Sequence, residues 1–343
     1  MGIKGIHELV KKCLKEKDAD PIIKHGKLED LSGKTIAIDG PNIIFRLKAV
    51  ATKKAVMQDM KFKYDEETGA WTGYNPTYCT LRFYELFINY INDILECGVK
   101  IIVVFDGAPP KEKAYILQER ADARNKSKEK IKKLISEKSS LYAYKKALCE
   151  YNKPNNTEWN FSKNIIIAMG CKCYLANGEA EKLCSVLCKN GDVYAAVSND
   201  TDLYAYECPF IVKNIKNFYT GTVYEYVCLN EILKLIDMDF EKFFNLCLMC
   251  GNDYAQRVKG FGPIRILKLL QTYGNYKSIC KNEEKFSSKL EEYNIAKENF
   301  TCNITYTNVT EENIWNYCTM EEIIKHIRDN LPKNSMTRIR YKP

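Results

Sequence analysis

The sequence predicts an α/β fold: a mainly parallel sheet flanked by helices. Two observations carry that expectation. Short, continuous apolar runs recur along the chain, each closing on an acid or a glycine. Strands of a parallel sheet are buried on both faces and so have no polar side to show. Between these runs lie longer segments with helical periodicity, the alternation of a doubly wound fold.

Taken in order, Lys34–Ile38 ends at Asp39-Gly40, Lys100–Phe105 ends at Asp106-Gly107, and Val193–Val197 ends at Ser198-Asn199-Asp200. Amphipathic helices are expected from about Tyr78 to Cys97 and from Asn164 to Met169. The stretch from Lys111 to about Glu150 reads as two helices without a strand, inserted between strands. Beyond about Asp239 the pattern is helical, and the tail is charged and irregular. Gly260-Phe261-Gly262-Pro263 joins a helix ending near Gly251 to one opening at Pro263. Proline suits a first helical position, and glycines let backbone amides approach a phosphate. The organisation expected is an N-terminal nuclease region (1–105), an arch and cap insertion (106–155), an internal region (156–275), and a C-terminal extension of the same domain (276–343).

Composition narrows the classes. The 343 residues are 45% hydrophobic and 28% charged, ordinary for a soluble globular chain, with no apolar run long enough to span a membrane. The first residues show neither a signal peptide nor the myristoylation pattern. Fifteen cysteines without a secretory signal point to free thiols in a reducing, intracellular setting. Cys247 and Cys250 form a C-x-x-C pair inside an apolar run and read as buried helix positions, since no second pair completes a zinc site. His7, His25 and His326 are too scattered for a histidine-based site. The net charge is +8, and its location says more than its size. Between Lys111 and Lys146 stand twelve Lys/Arg against five Asp/Glu. Such a stripe is either a solvated helical face or a footprint for a phosphate backbone.

The acids carry the chemistry. In open parallel sheets ligands bind outside the carboxyl ends of the strands, which is where Asp39, Asp106 and Asp200 fall. Glu179 and Glu181 open a helix, Asp202 follows Asp200, and Asp253 comes after the helix of Asp239–Cys250. Singly, each has a plain explanation as a cap or a partner of a helix dipole. Seven acids at one rim repel one another unless cations neutralise them, which favours hard divalent ions with oxygen ligands. Two such ions can activate a water and stabilise the leaving oxygen of a phosphodiester.

Read together, Met1-Gly2-Ile3-Lys4-Gly5-Ile6, Ile38-Asp39, Val104–Pro110, Gly178–Lys182, Asn199–Asp202, Gly251–Tyr254 and Val258–Pro263 resemble the flap endonuclease branch of the xeroderma pigmentosum G-type 5′-nuclease superfamily. The resemblance spans roughly the first 275 residues and implies a PIN-like nuclease fold with a helical arch and a helix–two-turn–helix element. It implies metal ligation by Asp39, Asp106, Glu179 and Glu181 mainly at one Mg²⁺, and by Asp200, Asp202 and Asp253 mainly at a second, with Mn²⁺ able to substitute. Lys113 and Arg120 match the family's catalytic gateway, and their seven-residue spacing lets both face one way if they share a helix. Arg124 and Lys128 extend that stripe. Phe45 stands where the family stacks an aromatic, usually Tyr, on a nucleotide; Gly2, Lys259, Gly260 and Gly262 are further DNA contacts by the same likeness. A K⁺ held by the hairpin loop is also implied, although Arg257 replaces the customary Ser. Thr52–Pro76, with Trp71 and Tyr74, is a candidate wedge at a branch point. Met336–Pro343 lacks the Gln-led aromatic box that binds a sliding clamp.

The expected function is a monomeric, structure-specific 5′ nuclease acting on branched or flapped DNA in replication or repair, in the nucleus or another site of DNA replication. A 5′→3′ exonuclease of the same superfamily is the enzymatic alternative, and an inert junction-binding scaffold the non-enzymatic one.

Overall fold

A computed structural model describes residues 2–56, 74–109, 113–137, 140–218, 221–309, 323–325, 327 and 329. Trp71 of the candidate wedge, His326 and the segment Met336–Pro343 lie outside them. The chain divides into two compact units, each assembled from separated segments: 1–39, 97–113 and 174–307 in the first, 40–96, 114–173 and 308–343 in the second.

The sheet runs in the order β1-β7-β6-β5-β2-β3-β4-β8, with β1 Lys24–Lys27, β2 Thr35–Asp39, β3 Lys100–Phe105, β4 Lys172–Ala176, β5 Ala195–Val197, β6 Phe210–Phe218, β7 Gly221–Cys228 and β8 Tyr306–Asn308. β2 is central and parallel to both neighbours: Ile36, Ala37 and Ile38 pair with Ala195, Ala196 and Val197 on one side and with Ile101, Ile102 and Val103 on the other. All three β2 residues are fully buried, which is why the run is apolar without alternation. β5 is shorter than the expected Val193–Val197, because Val193 and Tyr194 precede the ladder. β6 continues the parallel pairing, whereas β7 and β1 add antiparallel strands. The sheet is therefore mixed at this side and parallel at its centre, in keeping with the mainly parallel sheet expected from the sequence.

In the first unit the helices are α1 Ile6–Lys17, then, numbered past those of the second unit, α7 Ala180–Lys189, α8 Asp202–Ala205, α9 Leu229–Ile236, α10 Phe240–Met249, α11 Pro263–Tyr273, α12 Tyr276–Asn282 and α13 Leu290–Thr301. α1 buries Ile6, Leu9, Val10 and Cys13, and α7 buries Ala180, Leu183, Cys184, Leu187 and Cys188, the stripe of an amphipathic helix on a core. α7 packs on β2 and β3, so its first turn lies by the strand ends. Cys247 and Cys250 are buried in and just after α10, as expected, and every described cysteine is a free thiol.

The second unit is helical: α2 Gly40–Lys54, α3 Pro76–Glu96, α4 Ala114–Ser136, α5 Leu141–Tyr151 and α6 Asn156–Ala168. α4 and α5 are the two inserted helices read from the sequence. A buried ion pair ties α2 to α6: Lys48 Nζ donates to Glu158 Oε1 at 2.5 Å. Tyr74 forms an isolated bridge with Val56, and its hydroxyl accepts from Asn152 Nδ2 at 2.5 Å, which ties Tyr74 to the end of α5.

Candidate metal centre

The seven carboxylates all belong to the first unit, delivered by the ends of β2 and β3, the start of α7, the loop after β5, the first residue of α8, and the loop after α10. Asp39 ends β2, is 3% exposed, and accepts from Ser198 Oγ at 2.6 Å. Asp106 follows β3 and caps α7: its Oδ1 accepts from Ala180 N at 2.8 Å. Glu179 occupies the N-cap position of that helix, and its Oε2 accepts from Tyr254 Oη at 2.5 Å and Tyr206 Oη at 3.1 Å. Asp200 Oδ1 accepts from the Asp202 amide at 3.1 Å, while the Asp200 amide donates to Ser198 Oγ at 3.1 Å. Ser198 thus links Asp39 to Asp200 from between them.

The cluster is electrostatically crowded. Burial and then the charges of Glu179, Asp39, Asp106 and Asp200 push Glu181 well above the ordinary carboxylate range. Burial and then Asp200 and Asp253 do the same to Asp202, against the pull of Lys113. Asp202 is fully buried, and neither of its carboxylate oxygens has a hydrogen-bond partner among the described residues. A buried charge without a partner is costly, so a fold keeps one where something external fills the place.

Lys113 is a cation inside the cluster. It is 5% exposed, forms an ion pair with Glu179, donates to Asp253 Oδ2 at 3.0 Å, and lies 5.0 Å from the centre of the Tyr254 ring. Burial alone would lower its pKa, but Glu179, Asp253 and Glu181 outweigh burial and hold the ammonium above the ordinary lysine value. Sequence spacing placed Lys113 and Arg120 on one helix. Lys113 instead precedes α4 and stands among the acids of the first unit, while Arg120, Arg124 and Lys128 lie along α4 in the second.

Gly2 is fixed by the same site. Its φ is +87°, and a Cβ there would lie 2.0 Å from Asp200 Oδ1 and 2.6 Å from Thr201 Oγ1, so only glycine fits against this loop. The segment is stitched down on both sides: Thr201 Oγ1 donates to Ile3 O at 3.3 Å, and Lys4 N to Gly251 O at 2.9 Å.

Among the described residues no three His, Cys, Asp or Glu side chains stand close enough together to hold one ion. The donor chemistry nevertheless fits a hard divalent cation: the set is all oxygen, burial and neighbouring acids hold Glu181 and Asp202 above the ordinary carboxylate range, and both Asp202 oxygens are unsatisfied. Tyr206, Tyr254 and Ser198 were not singled out from the sequence. Tyr254 adjoins Asp253 and Ser198 stands two residues before Asp200, both local hints; the bonds of Tyr206 to Glu179 and of Ser198 to Asp39 join residues far apart in the chain.

In the second unit Phe45 is 43% exposed on α2, meets Trp159 edge-on at 5.8 Å between ring centres, and has Lys153 Nζ 5.6 Å from its ring. Burial, then Arg124, with Arg120 contributing, lowers the Lys153 pKa, so these cations share one neighbourhood. In the first unit, Lys259 and Gly260 are exposed on the hairpin between α10 and α11, and Gly262 caps α11 without a side-chain hydrogen bond to its first turn.

The sequence matches the XPG N-terminal domain over residues 1–127 and the XPG I-region over residues 170–253. Flap endonuclease 1 of Entamoeba dispar is 30% identical over 286 residues, which cover 82% of this chain and 70% of that protein. Flap endonuclease 1 of Saccharomyces cerevisiae is 27% identical over 302 residues, 87% of this chain and 72% of that one. The solved flap endonuclease-1 of Methanococcus jannaschii shares the fold, with a TM-score of 0.55, 24% identity and 92% of each chain covered.

Proposed function

This chain belongs to the flap endonuclease branch of the XPG/Rad2 nucleases, and from that premise we propose that it is a Mg²⁺-dependent, structure-specific 5′ nuclease that hydrolyses DNA phosphodiesters at branch points. The observation that supports this most is the fully buried Asp202, with two unsatisfied oxygens inside a rim of like charges. Asp39, Asp106, Glu179 and Glu181 would hold one ion, and Asp200, Asp202 and Asp253 another. When bound, such a pair of hard cations supplies an activated water and charge stabilisation at the scissile phosphate.

The chain's own residues do the rest. Tyr206 and Tyr254 aim Glu179 by donating to one of its oxygens, and Ser198 holds Asp39 in register with the Asp200 loop. Lys113 keeps Glu179 and Asp253 neutralised and offers a buried ammonium to charge developing on the phosphate. Arg120 adds a second cation, with Arg124 and Lys128 lengthening the stripe. Phe45 stacks on a nucleotide base, a sequence-tolerant contact suited to an enzyme that reads shape. Gly2, Lys259, Gly260 and Gly262 meet the DNA backbone, and α4 with α5 admits a single-stranded 5′ end. The protein works as a monomer at a site of DNA replication or repair inside the cell.

A labelled 5′ flap incubated with the protein and Mg²⁺ tests this reading. Release of the flap as a single strand ending in a 3′-hydroxyl, with the 5′-phosphate left on the trimmed duplex, is expected, and chelation should stop it. Tight binding of the flap without any cut in Mg²⁺ or Mn²⁺ would make the chain a junction-binding scaffold instead. A bulky group fixed to the 5′ terminus before binding should slow cutting; equal single-turnover rates for blocked and open flaps would contradict threading.

A further inference from the structure

The hairpin between α10 and α11 departs from the family expectation that loop carbonyls and a hydroxyl hold a K⁺. Position 257 carries a guanidinium in place of the hydroxyl. Several carbonyls of the loop are already engaged: Ala255 O accepts from Asn252 N at 3.0 Å, Val258 O from Phe261 N at 3.1 Å, and Gly262 O from Arg265 N at 3.0 Å and Ile266 N at 3.1 Å. Gly260 O accepts from Arg265 Nη1 at 2.7 Å. A monovalent ion placed at this loop would meet a covalently attached cation on the same carbonyl and be repelled by it. The residues present do not fit K⁺.

We infer that Arg265 is a tethered cation that takes the place of the monovalent ion, so that the hairpin grips duplex phosphates whichever salt is present. The geometry supports the exchange. Arg265 lies in the first turn of α11, and its guanidinium reaches back to Gly260, whose φ of +84° belongs to the left-handed region that glycine adopts without strain. Arg265 is exposed, and the bond to Gly260 uses one of five guanidinium donors. Those that remain can bind a phosphate, alongside exposed Lys259. A mobile ion must be recruited to such a loop from solution; a guanidinium fixed by a hydrogen bond is in place before DNA arrives.

The inference rests on the reading of this hairpin as a duplex-binding element, and one titration separates the two. Affinity for a labelled 5′ flap is measured by fluorescence anisotropy in Ca²⁺, in KCl, NaCl and tetramethylammonium chloride at matched ionic strength. The dissociation constants of the unmodified protein should agree within about twofold, since only the screening common to the salts acts. Arg265→Ala should weaken binding about fivefold or more in tetramethylammonium, and Arg265→Lys, which keeps the charge, should recover most of that loss. Binding by the unmodified protein that is about fivefold or more tighter in KCl than in tetramethylammonium would overturn the tethered-cation assignment while leaving the hairpin a DNA-binding element. Unchanged affinity in Arg265→Ala would overturn it as well. Failure to bind in every salt would overturn the duplex-binding reading and this inference with it.

Discussion

Glu158 in the second unit and Asp202 in the first are both fully buried carboxylates, and the fold treats them in opposite ways. Both oxygens of Glu158 are satisfied: Oε1 accepts from Lys48 Nζ at 2.5 Å and Thr80 Oγ1 at 2.8 Å, and Oε2 from Asn155 N at 3.1 Å. Its cation, its hydroxyl and its capping amide all come from the chain. Neither oxygen of Asp202 has a hydrogen-bond partner among the described residues, and its charged neighbours include Asp200, Asp253 and Glu179. A carboxylate kept for the fold is satisfied by the fold. One kept for an external partner is left waiting, and the repulsion around it is the cost of that readiness.

The sharpest way to break this contrast is to remove the cation from the satisfied pair. Lys48→Met should destabilise the protein by about 3–5 kcal/mol, because it strands a buried charge, and the double replacement Lys48→Met/Glu158→Leu should recover most of it. Denaturant titration measures both. A loss well under 1 kcal/mol for Lys48→Met would mean that the pair is an incidental contact.

On the other side, Asp200→Asn should leave flap affinity in Ca²⁺ near normal while lowering single-turnover cleavage in Mg²⁺ by about a thousandfold, about 4 kcal/mol of barrier. Normal cleavage would remove Asp200 from the metal-binding set. Lys113→Ala and Arg120→Ala should each lower the saturated rate by about a hundredfold, close to 3 kcal/mol, with a much smaller change in affinity. Should the two lose affinity alone, they are general DNA contacts. The smallest effect belongs to Lys259→Ala, which should weaken binding a few-fold and reduce its salt slope by about one, since one fewer counterion is released. An unaltered slope would place Lys259 off the backbone.

Much of the site was readable because strand ends are local features. An apolar run closing on Asp39, Asp106 or Asp200 marks both a buried strand and its rim, and the alternation of the runs with helices says that the rims coincide. Orientation was harder. Lys113 was read by its spacing to Arg120, but the chain carries it in ahead of α4, toward Glu179 and Asp253, far away in sequence. Tyr206, Trp159 and Lys153 were invisible for the same reason: nothing near them in the chain announces their partners. The β6–β7 hairpin was missed although β-branched and aromatic residues alternate in burial along β7. That pattern signals a half-covered antiparallel strand and lacks the continuous apolar run by which fully buried parallel strands stand out.

Thermal unfolding in metal-free buffer, comparing Asp202→Asn with Glu158→Gln, tests the contrast most directly. Removing a like charge from an unsatisfied cluster should raise the melting temperature by about 2 °C or more, while removing charge from a satisfied pair should lower it by at least as much. Mg²⁺ should then stabilise the unmodified protein and Glu158→Gln, but Asp202→Asn much less. A lower melting temperature for Asp202→Asn in the absence of metal would show that Asp202, like Glu158, serves the fold.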